Sequence, residues 1–488
     1  MTVENATPEP PADPVSRTLT RRAVLRRGGL AVAGTAAGGV AVNAATPHVL
    51  REVVAVDPNQ SYWADVLPPP GPRLATDLDV DVVIIGGGLT GLSTAYYLRH
   101  QAPERRVVVL EAHRCGNGAS ARNGAMLLTM TPDRWLQAGD DAALDRRLLK
   151  LTTDNIATLG DLATKFEVDL ELETRGAARV LRSSKDVREG RESASRLSGE
   201  GLPVTFWDAA RVRDALGTSV YAGALFDSAS GQLHPGRLVE LLRRAAIASG
   251  AEIYEETPVI AVEEGPVHRI ETGVGRHVRA PVLVVATNAY SSQLGYLRNA
   301  YVPIVATVAI TSPIAADVLG QIGWNSRVPF DDDRIDEYWL GITRDGRIHI
   351  GGGPLGYDYG FNNGMPTASV PGARAAALAA ELERIHPALA PVRFERCWSG
   401  AVDCSLDFSA SVGRAGRHDN VYYAIGYSGH GVNLTSVFGR VLADLATGRD
   451  ELWTWLPYLN RRLPYLPNEP FRWLGVRALR AAVGMVDR

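Results

Sequence analysis

The sequence predicts a mixed fold, in which an α/β domain with a parallel sheet is interleaved with α+β segments that form an antiparallel sheet. Two observations predict it. The apolar runs 82–85 and 107–110 flank a glycine-rich turn and a helical stretch, which is the order of a β–α–β unit. Residues 301–311 and 336–353 alternate or run apolar like strands, which suits an antiparallel sheet. A chain of 488 residues is long enough for both units.

The first apolar strand runs into Gly86-x-Gly88-x-x-Gly91, and Glu111 ends the second strand twenty residues after the third glycine. In such a turn the first glycine permits the tight bend, and the second lets the backbone approach a pyrophosphate at a helix N-terminus. The third lets the helix pack closely on the strand. Glu111 can accept hydrogen bonds from ribose hydroxyls, and its charge disfavours a 2′-phosphate. The segment therefore predicts a Rossmann-like, dinucleotide-binding domain.

Composition and charge exclude several function classes. The chain has 45% hydrophobic and 22% charged residues and a net charge of −3, with no basic run that would follow a nucleic acid backbone. The three cysteines have no metal-site or disulfide spacing, so we expect neither a metal nor a disulfide framework. A globular protein that does not bind nucleic acid is expected.

The N-terminus is typical of an export address. Arg21 and Arg22 precede a weakly apolar, Gly/Ala-rich run from 28 to 42, which resembles a twin-arginine signal over residues 1–45. The run is too short and too rich in glycine for a membrane span, so the mature chain should have none. Residues 46–75 are proline-rich and predict an extended lead-in. The alternative is a disordered basic tail on a cytoplasmic protein.

A second strand, glycine turn and helix near the C-terminus favours FAD over NAD. Residues 421–425 form a buried apolar run, 426–431 a glycine-rich turn, and 437–445 a helical pattern. A second helix N-terminus aimed at the same ligand suits a long cofactor whose far ring carries electron-rich carbonyls. The small-residue loop 115–124 follows Glu111, where the backbone would pass close to that ligand.

Taken in order, these segments resemble the FAD-dependent amine and amino-acid oxidases of the D-amino-acid oxidase and sarcosine oxidase superfamily. Within it, the γ-glutamylputrescine oxidase type is the most similar. The matching segments span roughly residues 60–450 and are Ser61-Tyr-Trp63, the Gly86 fingerprint, Gly118-Ala-Ser-Ala-Arg-Asn-Gly124, Gly231-Gln-Leu-His-Pro235, Ala286-Thr-Asn-Ala-Tyr290, Gly351-Gly-Gly353, Trp398-Ser-Gly400 and Gly426-Tyr-Ser-Gly-His-Gly431.

The resemblance implies a FAD site made of three loops. The fingerprint would hold the pyrophosphate, Glu111 the adenosine ribose, a second loop would run beside the isoalloxazine, and a third would approach its pyrimidine end. The implied cofactor-binding residues are Gly86, Gly88, Leu89, Thr90, Gly91 and Glu111, then Ala119, Ser120, Arg122, Asn123 and Gly124, and finally Gly429, His430, Gly431 and Val432. Some relatives attach flavin to cysteine, but the residues around Cys397 differ from that pattern, so we expect noncovalent FAD.

The cofactor-binding pieces are discontinuous, at about 76–135, 225–300 and 395–450. The intervening segments, about 136–224 and 301–394, carry no nucleotide signal and predict a substrate domain whose antiparallel sheet covers the flavin. Residues 451–488 form a C-terminal tail of aromatic residues and arginines, which either packs along the surface or contacts a partner.

Three residues are candidates for catalysis. In the amino-acid-oxidising branches the motif Trp-x-Gly-x-Arg-Pro supplies an arginine that pairs with the substrate carboxylate, whereas Val402 occupies that position here. This argues against a simple α-amino acid as substrate, unless another arginine such as Arg122 replaces it. Asp403 could attract a cationic amine, although a turn or capping aspartate is the more favoured interpretation.

The other two candidates are histidines. The strand that carries an oxygen-activating lysine in sarcosine oxidases has His349 here, and a histidine could serve only if protonated. A hydrogen-bonded sheet histidine is the favoured alternative. His430 lies inside the second glycine turn, within reach of flavin or substrate by resemblance, or is simply held there by backbone.

The sequence thus predicts FAD-dependent oxidation of a small-molecule amine to an imine, which hydrolyses to an aldehyde or ketone plus ammonia or an amine, with oxygen as acceptor. One alternative is a dehydrogenase acting on an amine or amino acid that passes electrons to a quinone or carrier. Another is a flavin-binding protein without turnover.

Overall fold

A computed structural model describes residues 61–129, 141–354, 356–357, 372–390 and 392–486. The predicted export signal and residues 46–60 of the lead-in lie outside these residues, and the described half of the lead-in contains the short 3-10 helix Tyr62–Val66. Within them, no helix combines the length and apolar character needed to cross a membrane.

The α-helices and strands of the described residues are given in chain order. The helices are α1 (Leu89–Gln101), α2 (Ala142–Lys165), α3 (Ser184–Gly199), α4 (Ala209–Leu216), α5 (Pro235–Ala248), α6 (Ala316–Ile322), α7 (Gly372–Ile385), α8 (Gly431–Ala446) and α9 (Phe471–Val486). The strands are β1 (Leu78–Asp79), β2 (Val82–Ile85), β3 (Val107–Leu110), β4 (Met126–Leu127), β5 (Ala177–Leu181), β6 (Val204–Asp208), β7 (Gly223–Asp227), β8 (Gly231–Gln232), β9 (Glu252–Tyr254), β10 (Val259–Glu263), β11 (His268–Thr272), β12 (His277–Ala280), β13 (Val282–Val285), β14 (Val302–Thr311), β15 (Phe330–Asp332), β16 (Tyr338–Ile342), β17 (Ile348–Gly352), β18 (Phe394–Cys404), β19 (Ser411–Ala415) and β20 (Val421–Ile425).

The predicted Rossmann-like unit is a six-stranded sheet in the order β19-β20-β13-β2-β3-β9. All pairs except β19–β20 are parallel. Its central strands β2 and β3 are fully buried, as continuous apolar runs in a covered parallel sheet should be. Helices α1 and α8 cross at Gly439, where a Cβ atom would lie 2.3 Å from the Cβ of Ser93. Both helices that follow a glycine turn therefore pack against one face of one sheet.

The second unit is an eight-stranded sheet in the order β18-β14-β17-β16-β15-β5-β7-β6. Its pairs are antiparallel except β15–β5, which is parallel. The sheet covers the carboxyl ends of the parallel strands, and we call it the roof. Two of its strands fall at the predicted boundaries near 225 and 395: β7 pairs with β5 and β6, and β18 pairs with β14 along ten residues. Strand pairing therefore places both in the roof rather than in the cofactor unit.

The C-terminal tail packs on the cofactor unit as far as the start of α9. Leu459 bridges to Val412 on β19, and Leu466 is buried in the core that includes β13 and β20. The guanidinium of Arg472 is buried and donates to the carbonyl oxygens of Pro467 and Arg298. Of the two alternatives for the tail, packing along the surface of the protein therefore describes this part.

Candidate functional site

A cavity of about 320 Å³ lies between the glycine loops of the parallel sheet and the roof. Three loops line one wall: the fingerprint turn, residues 116–124 and residues 427–432. One face of the roof lines the opposite wall. The cofactor-binding residues implied by the resemblance thus meet around one space, apart from Gly91, which lies behind the turn.

The fingerprint turn has the shape that its glycines require. Gly86 has φ +107°, and a Cβ atom there would lie 2.6 Å from the carbonyl oxygen of Ala286. A Cβ on Gly91 would lie 2.0 Å from the carbonyl oxygen of Gly86. Gly88 is the N-cap residue of α1 and has no side chain that could cap the helix. Gly88, Leu89 and Thr90 line the cavity, so the N-terminus of α1 faces the cavity. This arrangement fits an anion such as a pyrophosphate.

Glu111 lines the cavity at the end of β3. Its Oε2 accepts from the backbone N–H of Gly87 at 2.7 Å, and its Oε1 accepts from that of His113 at 3.0 Å. Each oxygen keeps acceptor capacity for a ribose hydroxyl, since a carboxylate oxygen has two lone pairs. Burial raises the pKa of Glu111, and the backbone donors act in the opposite direction.

The loop from Ala119 to Gly124 is braced by two tryptophans. The indole of Trp63 donates to the carbonyl oxygen of Asn123 at 3.0 Å, and that of Trp398 donates to the carbonyl oxygen of Arg122 at 3.0 Å. The hydroxyl of Ser120 accepts from the first N–H of α1, that of Leu89, at 3.0 Å. Two motifs far apart in sequence, around Trp63 and Trp398, therefore fix the loop that lies beside the cavity.

The guanidinium of Arg122 is hydrogen-bonded to the backbone around this loop. Its Nε donates to the carbonyl oxygen of Asn117 at 2.8 Å, and its Nη1 donates to that of Ser399 at 3.1 Å, with the side chain buried. These bonds join the loop to β18. The possibility that Arg122 replaces a carboxylate-binding arginine is therefore not supported, because its guanidinium has a structural role.

The second glycine turn approaches the cavity as predicted. Gly429 has φ +87°, and a Cβ atom there would meet no atom within 4 Å, so the backbone faces open space. Gly431 and Val432 begin α8 and line the cavity. The hydroxyls of Tyr427 and Thr90 lie 2.8 Å apart, which ties this turn to the first one. Two helix N-termini therefore face one cavity, as a long dinucleotide requires.

Asp403 has a structural position rather than a substrate-attracting one. Its Oδ2 accepts from the backbone N–H of Gly426 at 2.5 Å and of Tyr427 at 3.4 Å, and its Oδ1 accepts from Nδ2 of Asn288 at 3.0 Å. The side chain is fully buried, and burial raises the pKa of Asp403 to about 7. The structure corrects the interpretation of Asp403 as a cation attractor, because its carboxylate holds the second glycine turn in place.

His349 lies on the cavity-facing side of β17 but is not among the residues that line the cavity. Its ring packs edge-on against Trp63, with ring centroids 5.4 Å apart. Burial lowers the pKa of His349 to about 3, so the ring is neutral at ordinary pH. The oxygen-activating hypothesis required a protonated histidine, and the structure contradicts that condition.

His430, the remaining catalytic candidate, is placed in the cavity wall. Its Nδ1 lies 3.1 Å from the carbonyl oxygen of Ser428, and its Nε2 lies 3.8 Å from Oε1 of Glu337 on the roof. Both interpretations of His430 are therefore compatible with its position: the backbone holds it, and it faces a carboxylate across the cavity.

The roof contributes residues that the sequence analysis did not single out. Strand registers align Val308, Gly351, Trp339, Asp331 and Arg179 in one row across five strands. All of these except Gly351 line the cavity. Gly351 belongs to the quoted Gly351-Gly-Gly353 segment, and the other four come from segments without a motif. Only the pairing register brings the five together, so no local sequence signal could have found the row.

The far end of this row is an ion cluster. Arg179 Nη2 contacts Oδ2 of Asp331 at 3.0 Å and Oε2 of Glu337 at 2.8 Å. Ligand atoms of Asp331, Glu337 and His430 lie within 4.8 Å of one another, which is close enough to consider a metal. The guanidinium of Arg179 provides one positive charge beside these two carboxylates.

The cavity fits FAD, and its cysteine chemistry argues against a covalent link. Cys397 lies on the face of β18 opposite to the cavity, where it packs with the core of the roof. Cys404 lines the cavity, but burial raises its pKa to about 12, so it remains a protonated thiol and a poor nucleophile. FAD would be held by the two helix N-termini, by Glu111 and by the braced loop.

Comparisons with known proteins agree with this geometry. Residues 81–445 match the family model described as FAD dependent oxidoreductase. The chain is 28% identical over 393 residues to a probable oxidoreductase OrdL of Haemophilus influenzae, with 78% of this chain and 86% of that protein covered. It is 28% identical over 420 residues to gamma-glutamylputrescine oxidoreductase of Escherichia coli, with 84% and 92% covered.

Solved structures share the fold. A glycine oxidase from Geobacillus kaustophilus superposes with a TM-score of 0.67 at 19% identity, covering 79% of this chain and 99% of that one. An L-proline dehydrogenase from P. horikoshii superposes with a TM-score of 0.63 at 20% identity, covering 78% and 98%. At this identity the likeness concerns the fold alone.

Proposed function

The chain belongs to the family of FAD-dependent oxidoreductases whose model covers residues 81–445, and from that premise we propose that it oxidises a carbon–nitrogen bond of a small-molecule amine. The product is an imine, which water hydrolyses to an aldehyde or ketone plus ammonia or an amine. The name of the similar protein from Escherichia coli, gamma-glutamylputrescine oxidoreductase, supports an amine as substrate. A glycine oxidase from Bacillus subtilis, 24% identical, supports the same kind of bond.

The charge balance of the cavity is the observation that carries the choice of an amine over an α-amino acid. Val402 lines the cavity where the resemblance would place a carboxylate-binding arginine. Of the two arginines among the described lining residues, Arg122 is bonded to backbone carbonyls and Arg179 is flanked by two carboxylates. A free carboxylate would therefore find both guanidinium groups already engaged in hydrogen bonds or ion pairs, whereas an amine would need neither of them.

The residues of this chain would bind and orient the amine and would exclude water from the cavity. FAD, when bound, supplies the hydride acceptor. The roof presents Val308, Trp339 and neighbouring apolar side chains to the substrate, which removes water and lowers the pKa of a bound amine. A neutral amine is the form that can release a hydride from its α-carbon. Because the roof orients the amine and the amine is already neutral, the reaction does not need a dedicated base.

Oxygen as the acceptor is a separate proposal, and the described residues that line the cavity include no lysine that could serve it. His349 is neutral and packed behind Trp63. The three lysines of the chain, Lys150, Lys165 and Lys185, lie on α2 and α3 and are not among the cavity-lining residues described. This observation favours the second candidate function, a dehydrogenase that passes electrons to a quinone or carrier.

An anaerobic screen tests the proposed function. The flavin absorbance of the holoenzyme is followed while primary amines, secondary amines and α-amino acids are added one at a time. We expect amines to bleach the flavin and α-amino acids to be poorer substrates. Reduced enzyme is then exposed either to air, with detection of hydrogen peroxide, or to a soluble quinone. Bleaching by α-amino acids alone would overturn the choice of an amine, and no bleaching at all would favour flavin binding without turnover.

Noncovalent attachment and export complete the proposal. FAD should leave the protein on denaturation in acid, because Cys404 is the cysteine nearest to the cavity and is held as a thiol. Flavin that stays with the precipitated chain would contradict this.

Replacing Arg21 and Arg22 with lysine should trap folded, flavin-loaded protein in the cytoplasm, since the export machinery recognises the arginine pair. Unimpaired secretion would show that residues 1–45 are not a twin-arginine signal.

A further inference from the structure

The roof presents two chemically different halves to the cavity. In the half formed by β18, β14 and β17, the cavity-lining residues are apolar, as at Val308 and Ala306, apart from Cys404 and from Asp403, whose carboxylate is bonded to the second glycine turn and Asn288. In the half formed by β15 and β5, they are Asp331 and Arg179. Trp339 on β16 separates the halves. Since neighbouring strands lie about 4.8 Å apart, the charged half begins roughly 5 Å from Trp339 and extends to roughly 10 Å.

In the charged half, carboxylates outnumber guanidinium groups among the described cavity-lining residues. One guanidinium, that of Arg179, faces two carboxylates, and the exposed side-chain fractions are 10% for Arg179, 11% for Asp331 and 20% for Glu337. Asp332 and Asp333, which follow Asp331, are not among the cavity-lining residues, and they pair with Arg334 and Arg182 respectively. A buried excess charge is costly unless a counter-ion joins it.

The cluster is also incompletely connected. Nη2 of Arg179 contacts both carboxylates, and the buried Nε of Arg179 has no hydrogen-bond partner among the described residues. Oε1 of Glu337 faces Nε2 of His430 at 3.8 Å, which is longer than a hydrogen bond. Glu337 is also the more exposed of the two carboxylates. A donor from a ligand could therefore reach Oε1 at the cavity surface.

We propose that the cavity binds an amine that carries a second positive charge, and that Glu337, supported by Asp331, holds this second charge while the apolar half holds the amine to be oxidised. The proposal rests on the proposed function and names its substrate class: an α,ω-diamine or polyamine. Arg179 is a positioning residue, because it holds both carboxylates at the edge of the cavity.

Three matched four-carbon probes test the proposal. The holoenzyme is mixed anaerobically with n-butylamine, 1,4-diaminobutane or 4-aminobutanoate, and the dissociation constant is separated from the rate of flavin reduction by rapid mixing. A charge-assisted contact of this kind should tighten binding of the diamine roughly ten- to hundredfold over n-butylamine. The ω-amino acid should bind no better than n-butylamine, since its tail would meet two carboxylates.

Glu337→Gln should remove most of the preference for the diamine, measured as the ratio of the dissociation constants of n-butylamine and 1,4-diaminobutane. The matched control is Asp333→Asn, since Asp333 belongs to the same segment and forms an ion pair with Arg182 at 2.9 Å but is not among the cavity-lining residues. The control should keep the preference. Flavin content of each purified variant reports whether the fold is intact.

A second measurement does not depend on turnover. Butyltrimethylammonium and 1,4-bis(trimethylammonio)butane cannot be oxidised at flavin, because quaternary nitrogen has no lone pair, but both should perturb the absorbance of oxidised flavin. Tighter binding of the dication than of the monocation in wild type, lost in Glu337→Gln, supports the proposal. If in addition no amine reduces the flavin, only the proposed oxidation is overturned. Equal binding of both cations, equal losses for both amines in Glu337→Gln, or preference for 4-aminobutanoate would overturn the proposal and leave amine oxidation intact.

Discussion

The cavity has a loop wall and a roof wall, and these two regions are assembled in different ways. The loop wall consists of three short turns, each with its functional residues adjacent in sequence, as in Gly86–Thr90 and Gly429–Val432. The roof wall is a row in which each strand contributes one residue, from Val308 to Arg179. The loop wall is therefore determined by local backbone conformation, and the roof wall by strand register.

The difference indicates that the loop wall controls cofactor binding and the roof wall controls substrate choice. The turns need glycine because a Cβ atom would collide with backbone, as at Gly86 and Gly91, so few sequences fit and the cofactor they hold is common to the family. The roof tolerates any side chain that suits a sheet, so its row can change from apolar to charged without changing the fold. Substitutions in the loop wall should therefore affect cofactor binding, and those in the roof should affect substrate choice.

The largest effect is expected in the loop wall. Gly88→Val should abolish flavin retention, because the Cβ alone would lie 2.8 Å from Oγ of Ser120 and the branched side chain would enter the anion site. The ratio of flavin to protein after purification measures it. Gly160→Ala on α2 is the control, since a Cβ there meets no atom within 4 Å. A yellow Gly88→Val protein at wild-type stoichiometry would mean that the turn does not hold the cofactor.

A smaller effect on the same wall is expected for Glu111→Ala. A hydrogen bond to an ionised acceptor contributes about 1.5–3 kcal/mol, so the FAD dissociation constant should rise roughly ten- to hundredfold. Titration of apoprotein with FAD, followed by quenching of flavin fluorescence, measures the change. An unchanged dissociation constant would show that Glu111 serves only its backbone partners, Gly87 and His113.

Asp403 joins the two walls, and its expected effect is a change in pH dependence. Its folded pKa of about 7 lies above the ordinary value of about 3.9, so the folded state binds the proton more tightly than the unfolded state. The stabilising contribution is fully present below pH ~4 and is lost as pH rises to about 7. Asp403→Asn should flatten this decline in the melting temperature of the holoenzyme. Parallel profiles for the two proteins would mean that Asp403 stays ionised across the range.

The smallest effect is expected in the roof, behind its cavity-facing row. His349→Gln should leave the rate at which air reoxidises reduced flavin close to that of wild type, and this rate should not fall as pH rises through the ordinary histidine pKa. The reason is that His349 is neutral and shielded by Trp63. Stopped-flow reoxidation across the pH range measures both points. A marked slowing in the variant would restore the role of His349 in oxygen activation.

The sequence by itself determined the loop wall. Gly86, Gly88, Glu111 and Gly429 were assigned from spacing and resemblance, and the structure places all four at the cavity. Their signal is readable because it is local: a positive φ, a close approach or a helix N-terminus is a property of a few consecutive residues. The parallel sheet was equally readable, because its buried strands are continuous apolar runs.

Only the tertiary structure decided the roles of Asp403, His349 and the roof row. Asp403 and His349 are assigned by their partners and burial, which come from segments distant in the chain. Arg179 meets Asp331 through a parallel pair inside an otherwise antiparallel sheet, and Glu337 meets His430 across the cavity. A shift of one residue in register would turn each cavity-facing side chain of a strand to the other face of the sheet. Register depends on the packing of the whole sheet, so no short segment of the sequence contains it.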